Sequence, residues 1–430
     1  MAGSPAGPPI HPSADPPAIL IRDARLRAST AARLGVDPAI HVDILIRDGR
    51  YESITPSGAA APSPNDGAAR TVDAAGGLVT ESFVNGHLHL CKVNTLPLVG
   101  DAALAAYHGA GMGGAMTAIE LAANVKKLYR TDRLLPGIRR ALERGVEYGM
   151  THVRAFADTD TTAKQEGIRA VMAARDEFAG RMAVQAVAFP QDGVVRDPGA
   201  ADQVRRALND GADVVGGIPW IEFTDAGMRE HIVAMMDLAV EFDRDVSMLV
   251  DDAGDATLRT LETLATETLA RGWEGRVTAQ HARAMALYPE PSFLRLSALL
   301  RQARIGVVSD PHTGPLHARV RELRDHGVPV GLGQDDIADA YYPFGRNNML
   351  EVGFLAAHLL WMTSASDLEA IYDMITVDAA RVLGIADFEI AVGHRANCVV
   401  HRYPTVRETL AEHERPRLVV YHGAAVAECA

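Results

Sequence analysis

Cysteine is scarce in this chain: Cys91, Cys398 and Cys429 are the only three in 430 residues. Three scattered thiols cannot form a disulfide framework, so a reducing compartment is expected. No run approaches the ~18 consecutive apolar residues that a membrane-spanning helix needs. The first residues, "MAGSPAGPPIHPSADPP", lack both a basic and an apolar region, so no signal peptide is expected there, and a cytoplasmic protein follows. Positive charge is in deficit as well, with 42 Lys and Arg against 55 Asp and Glu and a formal charge of -13. That balance argues against nucleic acid or an anionic membrane as a partner and favours a small-molecule substrate. No solenoid-period repeat and no coiled-coil heptad is present.

What is present is apolar in the proportion of a globular protein, 48% hydrophobic residues. Residues 1–16 read as a leader rich in Pro, Gly and Ala. From "AILIRDARL" through "HVDILIRDGRYESITP" to "RTVDAAGGLVT" the pattern is short alternating strands with turn signals such as Asp48-Gly49. The C-terminal stretch "ANCVVHRYPTVRETLAEHERPRLVVYHGAAVAE" reads as strand, short helix, strand. The expected division is therefore a small β-sandwich from 17–80 and 390–430 around a middle region, 81–389.

The middle region alternates apolar runs with helical patterns. "THVRAFAD", "MAVQAVAFP", "ADVVGGIP", "DVSMLVDD", "RVTAQHA", "RIGVVSD" and "VPVGLGQDD" are separated by segments such as "DRLLPGIRRALERGVEYG", "ADQVRRALNDG" and "MREHIVAMMDLAVEFD". With "LVTESFVNGHLHL" they make eight strand candidates, the number of a closed (β/α)8 TIM-type barrel. An open doubly wound sheet is disfavoured because no glycine-rich nucleotide loop follows the first strand.

Polar residues cluster where such strands end. His87 and His89, two apart on a strand, point the same way; alone they are either metal ligands or two ordinary strand-end imidazoles. His281, Asp335, Asp336, Asp251 and Asp252 stand at other strand ends, which a barrel gathers on one rim. Three imidazoles and a carboxylate form a nitrogen and oxygen set suited to zinc or iron(II), with a position open for water.

The segments "VTESFVNGHLHL", "THVRAFAD", "VQAVAFPQDG", "ADVVGGIPWIEFT", "VTAQHARAM", "GQDDIADAYYPFG", "IAVGHRANCVV" and "VVYHGAAVA" resemble, in order, the amidohydrolase superfamily and within it the cytosine deaminase-like branch. The resemblance implies a metal-dependent (β/α)8 hydrolase, one divalent ion (zinc, or alternatively iron) and a homo-oligomer. It makes His87, His89 and Asp335 metal ligands, with Asp335 also accepting a proton from water. His281 matches a histidine that polarises water or substrate, or binds metal. Gln191 matches a residue reading the amide edge of a ring, Asp336 one contacting ring nitrogens or the amino group, and Tyr341 an aromatic covering the substrate. Trp220 falls at a strand end where it would stack on a flat ring or fill core, and Phe156 stands where some relatives carry histidine.

Two departures stand out. The family's fifth-strand His-Cys-Asp-Glu reads "LVDD" here, with Leu249 at the ligand position and Asp252 at the proton-shuttle position. Leucine offers no ligand, so the ion must lose that bond, replace it with His281, or be absent, and Asp252 is one methylene shorter than the family's glutamate. The second is Cys91-Lys92, read as a small buried thiol and a salt-bridging residue on the rim. His312 and His317 read as rim-loop residues, and the segment around His108 as a loop over the site. The expected reaction is hydrolysis of a C–N bond in a small nitrogen heterocycle by metal-activated hydroxide. Cleavage of another bond, a metal-free hydrolase and a ligand-binding barrel remain the alternatives.

Overall fold

The computed structural model describes residues 18–59, 70–100, 104–105, 120 and 123–429. The leader and the segment around His108 lie outside them. The chain starts with β1 (Ile19–Leu26), β2 (Val42–Arg47), β3 (Arg50–Pro56), β4 (Arg70–Asp73) and β5 (Leu78–Glu81). Eight further strands follow: β6 (Phe83–Leu88), β7 (Met150–Asp158), β8 (Ala183–Phe189), β9 (Val214–Gly217), β10 (Asp245–Val250), β11 (Val277–His281), β12 (Gly306–Ser309) and β13 (Val330–Leu332). β14 (Cys398–Val400), β15 (Leu418–Tyr421) and β16 (Ala424–Glu428) complete the chain.

β6 to β13 pair in sequence order and in parallel, with helices between them. Helices on the outside bury both faces of such a sheet, which is why its strands are apolar runs rather than alternating ones. All nine residues of β7 are buried. The sheet closes on itself through a parallel bridge between Leu88 and Asp335. There His89 N–H donates to Asp335 O (2.8 Å) and Asp335 N–H to His87 O (2.9 Å). This is the (β/α)8 barrel. At the end away from that bridge, Arg154 reaches across the interior to Thr278 Oγ1 (2.8 Å), and Thr278 bonds Val382 O.

The strands of both termini join in order β16-β15-β14-β5-β1-β2-β3, with β4 beside β1. β1 serves two layers: Ile19 to Ile21 pair with β2 and β4, whereas Arg25 and Leu26 pair with β5. The switch falls at Asp23, which adopts φ 55°. Ile19, Ile21, Ile44, Val79, Val400 and Leu418 fill the core between the layers. Arg27, fully buried, fastens this sandwich to the barrel through Glu369 and Asp373, 2.8 Å from each.

Two elements differ from the reading of the sequence. "LVTESFVNGHLHL" is two strands, since the chain leaves the sandwich at Ser82, whose N–H bonds Asn397 O, and enters the barrel at Phe83. Every residue from 78 to 90 is buried, so no polar break marks the crossing. The C-terminal "VVYHGAAVA" is a hairpin, β15 and β16, turning on His422 and Gly423 at φ 47° and 80°. Among the described residues no helix is long and apolar enough to cross a membrane.

Closure demands close approach of two backbones. A Cβ on Gly333 would lie 2.6 Å from His87 Cβ. Gly333→Ala is therefore expected to cost about 1–3 kcal/mol by overpacking and to displace His87. A urea melt matching wild type would show that the strands have room to spare.

Candidate functional site

The strand ends beside the closing bridge carry the site. His87 lies within β6, His89 just after it, His281 ends β11, and Asp335 follows β13. His281 and Asp335 both take φ 64°, a conformation uncommon outside glycine, in which the chain turns sharply as it leaves the strand. One nitrogen or oxygen from each of these four buried residues lies within 4.8 Å of the others. Asp335 Oδ1 is 3.2 Å from His87 Nε2, 3.7 Å from His89 Nε2 and 3.9 Å from His281 Nε2.

Each ligand atom is aimed by a partner. Asp335 Oδ2 accepts from Thr313 Oγ1 (2.8 Å) and from Arg283 Nη2 (3.3 Å), which leaves Oδ1 for the histidines. His281 Nδ1 is 2.7 Å from Asp310 Oδ1, so Nε2 faces the cluster. Neither ring nitrogen of His87 has an aligned hydrogen-bond partner, although both are buried. An unbonded buried imidazole is costly unless its lone pair is taken, and this set of donors fits a divalent cation. Burial pushes His87 and His89 below the usual imidazole range, keeping them neutral as ligands must be. Burial acts the same way on His281, but the carboxylates of Asp252, Asp310 and Asp335 outweigh it and raise that group to about 9, so a cation binding at Nε2 would have to displace a proton there.

The cluster opens into a cavity of about 400 Å³, its open mouth included, lined among others by Gln191, Trp220, Asp252, Asp336 and Tyr341. Every substrate-binding residue expected from the sequence is thus brought to one place. Gln191 Oε1 accepts from Lys92 Nζ, and its Nε2 donates to Tyr341 OH (3.0 Å), which fixes the orientation of the amide. Burial, then the carboxylates of Asp335 and Asp339, hold Asp336 well above the usual carboxylate range. Phe156 packs 4.3 Å from the His87 ring, centre to centre. Leu249 also lines the cavity.

Other residues fall differently. Lys92 is not on the rim: it is 4% exposed and ion-paired with Asp158 at 3.3 Å, because the chain folds inward after His89. Asp251 turns away from the cavity, where it bonds Thr260 N–H (2.7 Å) at the start of the helix Thr260–Arg271 and Tyr288 OH (2.5 Å). Cys91 is buried, and its Sγ accepts from Asp158 N–H. His312 sits in the short turn Pro311–Thr313, bonded to Gln334 O.

Arg283, Asp310 and Thr313 were not read from the sequence. Asp310 was legible in principle, since it ends "RIGVVSD" as the other acidic residues end their runs. Arg283 had no such signal. Its guanidinium joins Asp252 (2.7 Å), Asp310 (2.9 Å) and Asp335 (3.3 Å), neutralising carboxylates that would otherwise repel in a dry space.

Fold and site together define a (β/α)8 barrel with a cluster of possible metal ligands at the C-terminal ends of its strands, the face on which such barrels carry their chemistry. The sequence profile of the Amidohydrolase family matches residues 121–427, and the chain belongs to that family, in its deaminase-like branch. It is 29% identical to N-isopropylammelide isopropyl amidohydrolase of Pseudomonas sp. (strain ADP) over 346 residues, covering 76% of this chain and 81% of that one. Pterin deaminase of Rhizobium rhizogenes is 27% identical over 408 residues, covering 89% and 87%. Among solved structures, 5-methylcytosine deaminase from Klebsiella pneumoniae liganded with phosphonocytosine superposes with a TM-score of 0.85 at 27% identity, covering 96% of this chain and 98% of that one.

Leu249→His should raise zinc affinity by ~10-fold or more, the scale at which even a ligand's own partners act. An unchanged affinity by competition titration would mean that residue 249 does not face the ion. Arg283→Ala removes the guanidinium shared by three buried carboxylates, leaves Asp252 without its ion-pair partner, and should cost about 3–5 kcal/mol; a melt within 1 kcal/mol, roughly a surface-mutation effect, would contradict the network.

Proposed function

We propose that this chain is a metal-dependent hydrolase cleaving a carbon–nitrogen bond of a small nitrogen heterocycle. The observation carrying it is the convergence of His87, His89, His281 and Asp335 at the floor of a cavity walled by Trp220, Tyr341 and Gln191. These four residues would hold one divalent ion, zinc or alternatively iron, which when bound supplies Lewis-acid polarisation and acidifies water. The relatives named for N-isopropylammelide, pterin and 5-methylcytosine support the choice of ring.

The chain's own residues then have distinct tasks. Asp335 takes the proton of the attacking water on Oδ1, because Thr313 and Arg283 hold Oδ2. His281, backed by Asp310, has one nitrogen to offer, Nε2, which serves either as the fourth ligand or, with His87, His89 and Asp335 holding the ion, to stabilise charge developing on the attacked ring. Asp252 has one oxygen on Arg283 and relays a proton to the leaving amine with the other. Gln191 retains one N–H and one lone pair beyond Tyr341 and Lys92, and with Asp336 it reads the ring edge, a polar match that rejects analogues strongly. Trp220 and Tyr341 hold the ring plane. The reading also carries a homo-oligomer in the cytoplasm, in keeping with three unpaired cysteines.

A second reading rests on one contact. Arg283 lies 3.3 Å from Asp335 Oδ2 and brings a permanent cation to the site, as a metal-free hydrolase would require. Elemental analysis of purified protein separates the two. Metal near one equivalent is expected, with amine or ammonia released from at least one of cytosine, pterin and an N-alkylated aminotriazine. His89→Ala should weaken metal binding by more than ~100-fold and abolish release; turnover surviving in that variant would remove the metal from the reaction.

A further inference from the structure

Glu222 and His231 lie outside the cavity, take no part in the chemistry above, and have side chains with no exposure at all. Two titratable groups do not occupy such positions without partners, and here each partner leads to the cavity wall. The Glu222 carboxylate accepts four hydrogen bonds. Val194 N–H (2.7 Å), Val195 N–H (3.1 Å) and His231 Nδ1 (2.8 Å) converge on Oε1, and Arg196 N–H (2.9 Å) reaches Oε2. The other ring nitrogen, His231 Nε2, accepts from Ile218 N–H at 3.1 Å. That bond places the imidazole proton on Nδ1, so the ring is neutral and the glutamate ionised; burial and the bond to Glu222 act on His231 in opposite senses and leave it below its ordinary range.

The backbone held in this way is the backbone of the cavity. Residues 194–196 continue the turn that carries Gln191, and that turn passes so near the carboxylate that a Cβ on Gly193 would lie 2.9 Å from Glu222 Oε1. Ile218 and Trp220 line the same cavity from the end of β9, and Glu222 is two residues beyond Trp220. Arg196 Nη1 adds a bond to Ile221 O (3.0 Å). His231 itself rides on the helix Asp225–Phe242, whose first turn is capped by Thr224 Oγ1. A rigid helix therefore sets the spacing between the two walls that receive a flat ring.

We propose that Glu222 and His231 are positioning residues that fix Gln191 relative to Trp220 and so determine which ring the cavity accepts. The role in ring choice rests on the function proposed above; the clamp itself does not. Glu222→Ala removes every bond. Glu222→Gln keeps three by placing its oxygen at the Oε1 site, and faces its amide to the Arg196 N–H alone. His231→Phe keeps the ring and removes both of its bonds.

Two measurements test it. Amide exchange over residues 189–197 should speed up strongly in Glu222→Ala and His231→Phe, and less in Glu222→Gln. In a Trp273→Phe, Trp361→Phe background, the emission of Trp220 should shift in the same order. With whichever of cytosine, pterin and an N-alkylated aminotriazine releases amine, KM should rise ~10-fold to ~100-fold in Glu222→Ala, kcat should change far less, and Glu222→Gln should restore most of the loss. Exchange and emission unchanged in Glu222→Ala would overturn the clamp. Faster exchange with KM unmoved, or with KM and kcat affected by the same factor, would overturn its role in ring choice. If wild type releases amine from none of the three, the proposed function fails, and exchange and emission still decide the clamp.

Discussion

A single parallel bridge, Leu88 to Asp335, does two things at once. It closes the eight-stranded sheet, and it brings the carboxylate of Asp335 to the imidazoles of His87 and His89. The two hydrogen bonds flanking it come from the same residues whose side chains form the cluster. Barrel closure and site assembly are therefore one event, separated in sequence by nearly 250 residues but joined by backbone amides that would be unsatisfied in an open sheet. The glycines beside it, Gly86 and Gly333, permit the approach, since a methyl group at either would meet the facing strand within about 3 Å.

Charge balance is the second constraint. Asp252, Asp310 and Asp335 lie together with almost no access to water, and such a group is stable only when each carboxylate has a cationic or hydrogen-bonding partner. Arg283 and His281 supply that compensation from one strand and the turn after it. The leucine at position 249 sits in the same space without offering any charge. A guanidinium thus stands next to the carboxylate that faces the histidines.

Much of the site was legible from residue type and spacing. Strand-end polar residues in a repeated strand and helix pattern must share one rim, so His87, His89, His281, Asp335 and Asp252 could be placed together before any coordinates. Asp251, adjacent to Asp252 and identical in type, could not be separated from it: only the left-handed backbone at Asp251 shows that its side chain turns to cap a helix. Lys92 was legible as an ion-pairing residue but not as a buried one. Arg283 and Glu222 were invisible, since their partners are distant in sequence or are backbone amides, which carry no residue identity.

The amino-acid sequence alone determined the eight strands of the barrel and their parallel order, because hydrophobic period and turn chemistry are local properties of the chain. It also determined which side chains could bind an ion, as chemistry belongs to residue type. Which of two adjacent aspartates faces the cavity, where one apolar run passes from sandwich to barrel, and how Glu222 spaces the cavity walls were decided only in the tertiary structure. Those outcomes depend on backbone dihedrals and on hydrogen bonds between distant segments, and such contacts exist only once the barrel has closed.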